Sequence, residues 1–142
     1  MTSIIVRLLV LSTLWLFTLT ATHAQVVVIV SAKSPVNSLS RQQVSNIFLG
    51  RTHTYPNGSP AIPLDVQNGT GLREEFCEKV HGIAPSQLNA YWSRMVFTGK
   101  DNPPKEAIPP EIAVKLTAAN ARMISYVDRG WVDDSVKVIL TP

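Results

Sequence analysis

The chain has 142 residues, 45% of them hydrophobic and 16% charged, with a formal net charge of +3. That balance is globular and excludes a disordered tail, a collagen-like repeat and a multi-pass membrane protein. So small a net charge gives little attraction for a polyanion, and no nucleic-acid partner is expected.

Residues 1–24 open with a single cation, Arg7, run through an apolar middle and finish with Ala21-Thr22-His23-Ala24. A spanning helix needs roughly 20 apolar residues, more than this middle supplies. The order is that of a secretory signal. It predicts a periplasmic or secreted protein whose working part is one domain, residues 25–142, with an uncleaved anchor as the alternative. Cys77 is the only cysteine, so no disulfide forms within the chain and no cysteine at the cut carries a lipid.

Residues 25–31 form a continuous β-branched run and predict a strand buried on both faces. Ser40 with Gln43 makes a capping box, and Leu39 with Val44 a hydrophobic staple, for a helix that buries Val44, Ile47 and Phe48 and ends at Gly50. Tyr55-Pro56-Asn57-Gly58-Ser59 is a turn by composition, and residues 61–66 predict a second strand. After Asn68-Gly69-Thr70-Gly71 comes a helix with the apolar stripe Leu72, Phe76 and Val80. Arg73, Glu74, Glu75, Glu78 and Lys79 fall outside that stripe, and Glu75 and Lys79 are spaced to pair.

A further helix starts near Pro85, carries Leu88, Tyr91, Trp92, Met95 and Val96, and closes at Thr98-Gly99. Residues 100–110 predict a surface loop. Residues 111–119 predict a helix with Ile112 and Leu116 inward, ending near Asn120. Residues 123–127 and 135–140 predict the last strands, the latter with Val136, Val138 and Leu140 on one face. Strands separated by helices imply an α/β layer structure, a mixed sheet flanked by helices.

Few residues suggest chemistry. The turn at Asn68, Gly69, Thr70 and Gly71 leads into a helix start, where unpartnered backbone N–H groups attract anions and the glycines permit close approach. An ordinary Asn-Gly turn capped by Thr70 is the alternative. Asn57-Gly-Ser59 and Asn68-Gly-Thr70 also match a glycosylation sequon, although Asn-Gly turns explain both. His53 and His81 are too isolated for a metal site, so no cofactor is expected. Cys77 adjoins the apolar stripe and reads as buried and inert. No Gly-x-Ser-x-Gly elbow is present, and the acidic pairs Glu74-Glu75 and Asp133-Asp134 read as solvated charges, so no enzyme is expected. Trp92 reads as core, and Trp131 as half exposed after the turn at Asp128-Arg129-Gly130.

The order of Ile47-Phe-Leu-Gly50, Tyr55-Pro-Asn-Gly58, Ile62-Pro-Leu-Asp65, Asn68-Gly-Thr-Gly71, Tyr91-Trp92, Phe97-Thr-Gly-Lys100 and Ile124-Ser-Tyr-Val127 resembles the periplasmic phosphate-binding proteins of ABC importers. The resemblance implies a single lobe of the type 2 periplasmic-binding-protein fold. In that family a helix-start turn reading Arg-Ser-Asp-Gly-Ser-Gly-Thr holds phosphate. Gly69 and Gly71 match its glycines and Thr70 stands at its serine, while Val66, Asn68 and Leu72 replace its arginine, aspartate and threonine. Arg73, close by, is expected to point along the helix. What the resemblance implies is an exported, non-catalytic binding protein that takes phosphate or a similar oxyanion weakly. Its implied partners are an ABC permease, a sensor kinase, another envelope protein or a second copy of itself. The alternative is a ligand-free interaction or sensory protein built on the same lobe.

Overall fold

The computed structural model describes residues 25–66, 71–107 and 109–142. Residues 1–24, read above as an export signal, and Asn68, Gly69 and Thr70 lie outside the described residues.

Strand β1, Val26–Ser31, is buried at every position, as its unbroken β-branched run requires of a strand covered on both faces. It sits inside a five-stranded sheet of order β3-β2-β4-β1-β5, where β2 is Ile62–Val66, β3 Lys105–Ala107, β4 Met123–Asp128 and β5 Val136–Leu140. β2 runs parallel to both β3 and β4, whereas β1 is antiparallel to β4 and β5. Layers of side chains cover both faces. On one, Val26, Val28 and Val30 pack with Ile47, Phe48, Phe76 and Tyr126; on the other, Val27 and Ile29 pack with Leu64, Ala113, Val114 and Val127. The alternation along β1 thus joins two cores.

Helix α1, Arg41–Phe48, begins as its sequence dictates. Gln43 N–H donates to Ser40 Oγ at 3.1 Å, and Ser40 N–H donates to Gln43 Oε1 at 2.8 Å, completing the capping box. Leu39 and Val44 are both buried, as the staple requires. The next helical stretch starts as α2, Gly71–Phe76, and continues as a π-helical turn, Cys77–His81, closed by Gly82 in the left-handed conformation. Helix α3 spans Pro85–Phe97 and α4 spans Pro110–Ala119.

Three expectations are corrected. The segment read as a surface loop contains β3, whose Lys-Glu-Ala has no β-branched or aromatic residue to signal a strand; backbone pairing of Leu64, Asp65 and Val66 with it supplies the register. In α4 the inward face is Ala113, Val114 and Thr117, while Ile112 and Leu116 are exposed. Small residues let this helix lie close on β1 and β4, and the larger side chains flank the contact. In α3, Val96 is 49% exposed. In β5 the register against β1 shifts by one between Val28 and Ile29; the bulge sends Val136 and Val138 to one core and Ile139 and Leu140 to the other.

Gly50 ends α1 with φ +67°, and a Cβ there would collide with the Asp101 carboxylate and come within 3.2 Å of the Trp92 ring. Gly58 also has positive φ, +86°, but faces open space. Gly50→Ala is therefore expected to cost about 2 kcal/mol or more, and Gly58→Ala only about 1 kcal/mol from the left-handed backbone. Urea denaturation of the two variants side by side checks the difference.

Candidate functional site

β2 ends at the edge of the sheet where parallel strands deliver their carboxyl ends, the usual place for a ligand in an open α/β sheet. Its penultimate residue, Asp65, is the focus of a small polar cluster. Tyr126, fully buried on the neighbouring β4, donates its hydroxyl hydrogen to Asp65 Oδ1. Arg73, on α2, approaches Asp65 Oδ2 with Nε at 3.5 Å. Only 8% of the Arg73 side chain and 13% of the Asp65 side chain reach solvent. Arg73 therefore turns back toward the strand, against the expectation that it lies outside the apolar stripe and points along the helix. Burial and the adjacent Asp65 carboxylate push the Tyr126 phenol well above its ordinary range, so it remains a neutral donor to that carboxylate.

Aromatic packing fixes the cluster. The Tyr126 ring stacks on Phe76 with centroids 3.8 Å apart and planes 4° from parallel, and Phe48 meets Phe76 edge-on at 4.9 Å. Arg73 and Phe76 share one helix, so the stack that locks α2 on the sheet also sets where the guanidinium stands.

The pair opens into a cleft of about 780 Å³ whose lining includes Asp65, Arg73, Asn89, Trp92, Ser93 and Phe97. Of the four residues predicted to bind a ligand, Gly71 is the first residue of α2 and precedes Arg73 by two positions; Asn68, Gly69 and Thr70 are outside the described residues. Sequence reasoning missed Arg73, Asp65 and Tyr126. The available signal was a carboxylate in the otherwise apolar run Ile62-Pro-Leu-Asp-Val66.

No protein-family model and no curated protein matches the chain. Solved structures do. A candidate phosphate ABC transporter substrate-binding protein from Clostridium perfringens, solved with bound phosphate, superposes with a TM-score of 0.64 at 21% identity, over 81% of this chain and 44% of that one. An ABC-type phosphate transport receptor from Vibrio cholerae gives 0.63 at 18% identity, over 81% and 45%. A candidate phosphate-binding protein from Planctomyces limnophilus gives 0.55 at 11%, over 81% and 40%. The chain has the periplasmic-binding-protein fold. It spans less than half the length of these structures, so the match is to part of each.

The remaining residues singled out by sequence lie apart from the cluster or pack behind it. His53 is exposed in the loop after α1, with Nε2 3.4 Å from Asp101 Oδ2. Trp92 is buried and Trp131 is 45% exposed. Cys77 is fully buried, and burial pushes its thiol up to about 11, the inert state expected. Asn57 Oδ1 accepts from the Ser59 amide and hydroxyl at 2.9 and 2.6 Å, so its Asn-Gly-Ser serves a turn.

His81 ends the π-helical turn, with Nδ1 2.8 Å from Ser45 Oγ and its ring edge-on to Phe76 at 5.2 Å. Burial first, then Arg51 and Arg73, lower it from 6.5 to about 4. Between those values the unfolded chain holds a proton that the fold rejects, so stability should rise with pH across that window and fall as pH drops through it. The loss from pH 7 to 4 should be of order 2 kcal/mol, and His81→Gln should flatten it. Chemical denaturation at several pH values measures both slopes.

Proposed function

We propose that this is an exported binding protein and not an enzyme, taking phosphate or another small oxyanion weakly at Arg73 and the adjacent Asn68–Gly71 turn. The single observation that carries the reading is Arg73. The binding-protein fold sets a guanidinium at the carboxyl end of β2, in an open cleft, steered by Asp65. The sequence resemblance finds Val66 where the related motif has arginine; Arg73, seven positions later, supplies the charged, fork-shaped donor set that oxyanions favour. Asp65 and Tyr126 hold it in orientation, and preorganisation of that kind lowers the cost of binding. Gly71, Gly69 and Thr70 would add backbone and hydroxyl donors beside it.

The similarity to proteins described as phosphate-binding supports the ligand class, and the signal-like residues 1–24 support a periplasmic or secreted location. An ABC permease is the partner this reading favours, with a sensor kinase or another envelope protein as the alternative.

Calorimetric titration of the purified protein with phosphate and with sulfate tests the ligand. Saturable heat is expected. Arg73→Met should weaken binding by at least about tenfold, the worth of a charged hydrogen bond, and Thr70→Ala by a few fold. Circular dichroism on each variant separates lost binding from lost fold. No heat at millimolar anion overturns the reading.

A further inference from the structure

The cleft over Arg73 is far larger than a phosphate ion needs. At about 780 Å³ it lies within the range that takes drug-sized molecules, and a lone tetrahedral ion against Arg73 would leave most of it to water. Its walls also differ in kind. Asp65 and Arg73 make a polar floor, while Trp92, Val96, Phe97, Pro103 and Pro104 make an apolar side.

Phe97 is 92% exposed and its neighbour Val96 49%. Single exposed apolar residues are common, but two adjacent ones lining a cleft with a charged floor are the arrangement of a binding groove. Nor does the ring hang from a loose loop. Phe97 is the last residue of α3, and the turn after it is fixed by Thr98 Oγ1 donating to Arg94 O at 2.8 Å and by Gly99 in the left-handed conformation. Prolines continue the wall with fixed φ. The backbone under the ring is thus already fixed, and only the Phe97 rotamer is ordered when a ligand packs on it.

We infer that the ligand of this cleft is a phosphate monoester bearing an aromatic or apolar group, with its phosphate on Arg73 and its organic part against Phe97 and Val96. The inference rests on the oxyanion reading above and names its substrate class.

Calorimetry with inorganic phosphate, phenyl phosphate and phenol, on the wild-type protein and on Phe97→Ser, tests it. Phe97 is exposed, so the substitution leaves the fold intact. Phenyl phosphate should bind the wild type about tenfold more tightly than phosphate does, from partial burial of its ring. Phe97→Ser should bring the two within about twofold while phosphate binding stays unchanged. Phosphate binding with no advantage for phenyl phosphate overturns this inference and leaves the oxyanion reading standing. No binding of either anion overturns both. Phenol binding as tightly as phenyl phosphate overturns the inference by showing an apolar trap indifferent to phosphate. Self-association lost in Phe97→Ser also overturns it, assigning the surface to a second copy of the chain.

Discussion

Replacing Asp65 with alanine is expected to cost about 3–5 kcal/mol of unfolding free energy, the usual consequence of removing one partner from a buried ion pair. Two groups depend on this carboxylate: the Tyr126 hydroxyl and the Arg73 guanidinium. Both are largely buried, so removing the acid takes away the charged acceptor that each of them faces. Asp65→Asn should cost less, about 1–2 kcal/mol, because the amide oxygen still accepts from Tyr126 while only the negative charge facing Arg73 is lost. Guanidinium denaturation of both variants gives the ordering. If Asp65→Ala is as stable as wild type, the cluster does not anchor the end of β2.

Phe76→Ala should be comparably severe, about 3–5 kcal/mol, the range for emptying a buried phenyl ring from a core. Phe76 is 2% exposed and touches three rings, stacked on Tyr126 and edge-on to Phe48 and His81. Phe76→Leu retains most of the volume and loses the stack, so about 1–2 kcal/mol is expected. The two substitutions should also differ in the site. With the ring gone, α2 loses its main attachment to the sheet and Arg73 its fixed position; with leucine, α2 stays in place. Anion affinity should therefore fall much further in the alanine variant than in the leucine one.

Local signals carried most of the architecture, because they act within a few residues. The capping box at Ser40 and Gln43, the β-branched run of β1 and the spacing of Leu72, Phe76 and Val80 each specify an element without distant help, and all stand in the structure. Failures came where the partner is remote. β3 has no strand-forming residues of its own and exists because β2 offers an edge. The inward face of α4 is set by how closely it lies on β1 and β4, which favours Ala113 and Thr117 over the larger Ile112 and Leu116. Arg73 carries the most functional weight of these. A charge on an amphipathic helix reads as solvated, and its carboxylate lies eight positions earlier on a strand, beyond the one-turn spacing at which helix pairs are recognised. Only the crossing of α2 over the end of β2 brings them together. The Asp65–Arg73 cluster was thus illegible in the sequence, although Gly71, at the start of the same helix, was singled out there.

The most direct measurement is of the Arg73 side chain itself. In a two-dimensional nitrogen–proton spectrum, the Nε–Hε signal that disappears in Arg73→Lys is that of Arg73, and phosphate can be titrated while it is followed. A saturable shift of this signal is expected, tracking the calorimetric curve, with little movement of the Arg51 and Arg94 signals. A stationary Arg73 signal at saturating phosphate, or a shift spread evenly over all arginines, would contradict it.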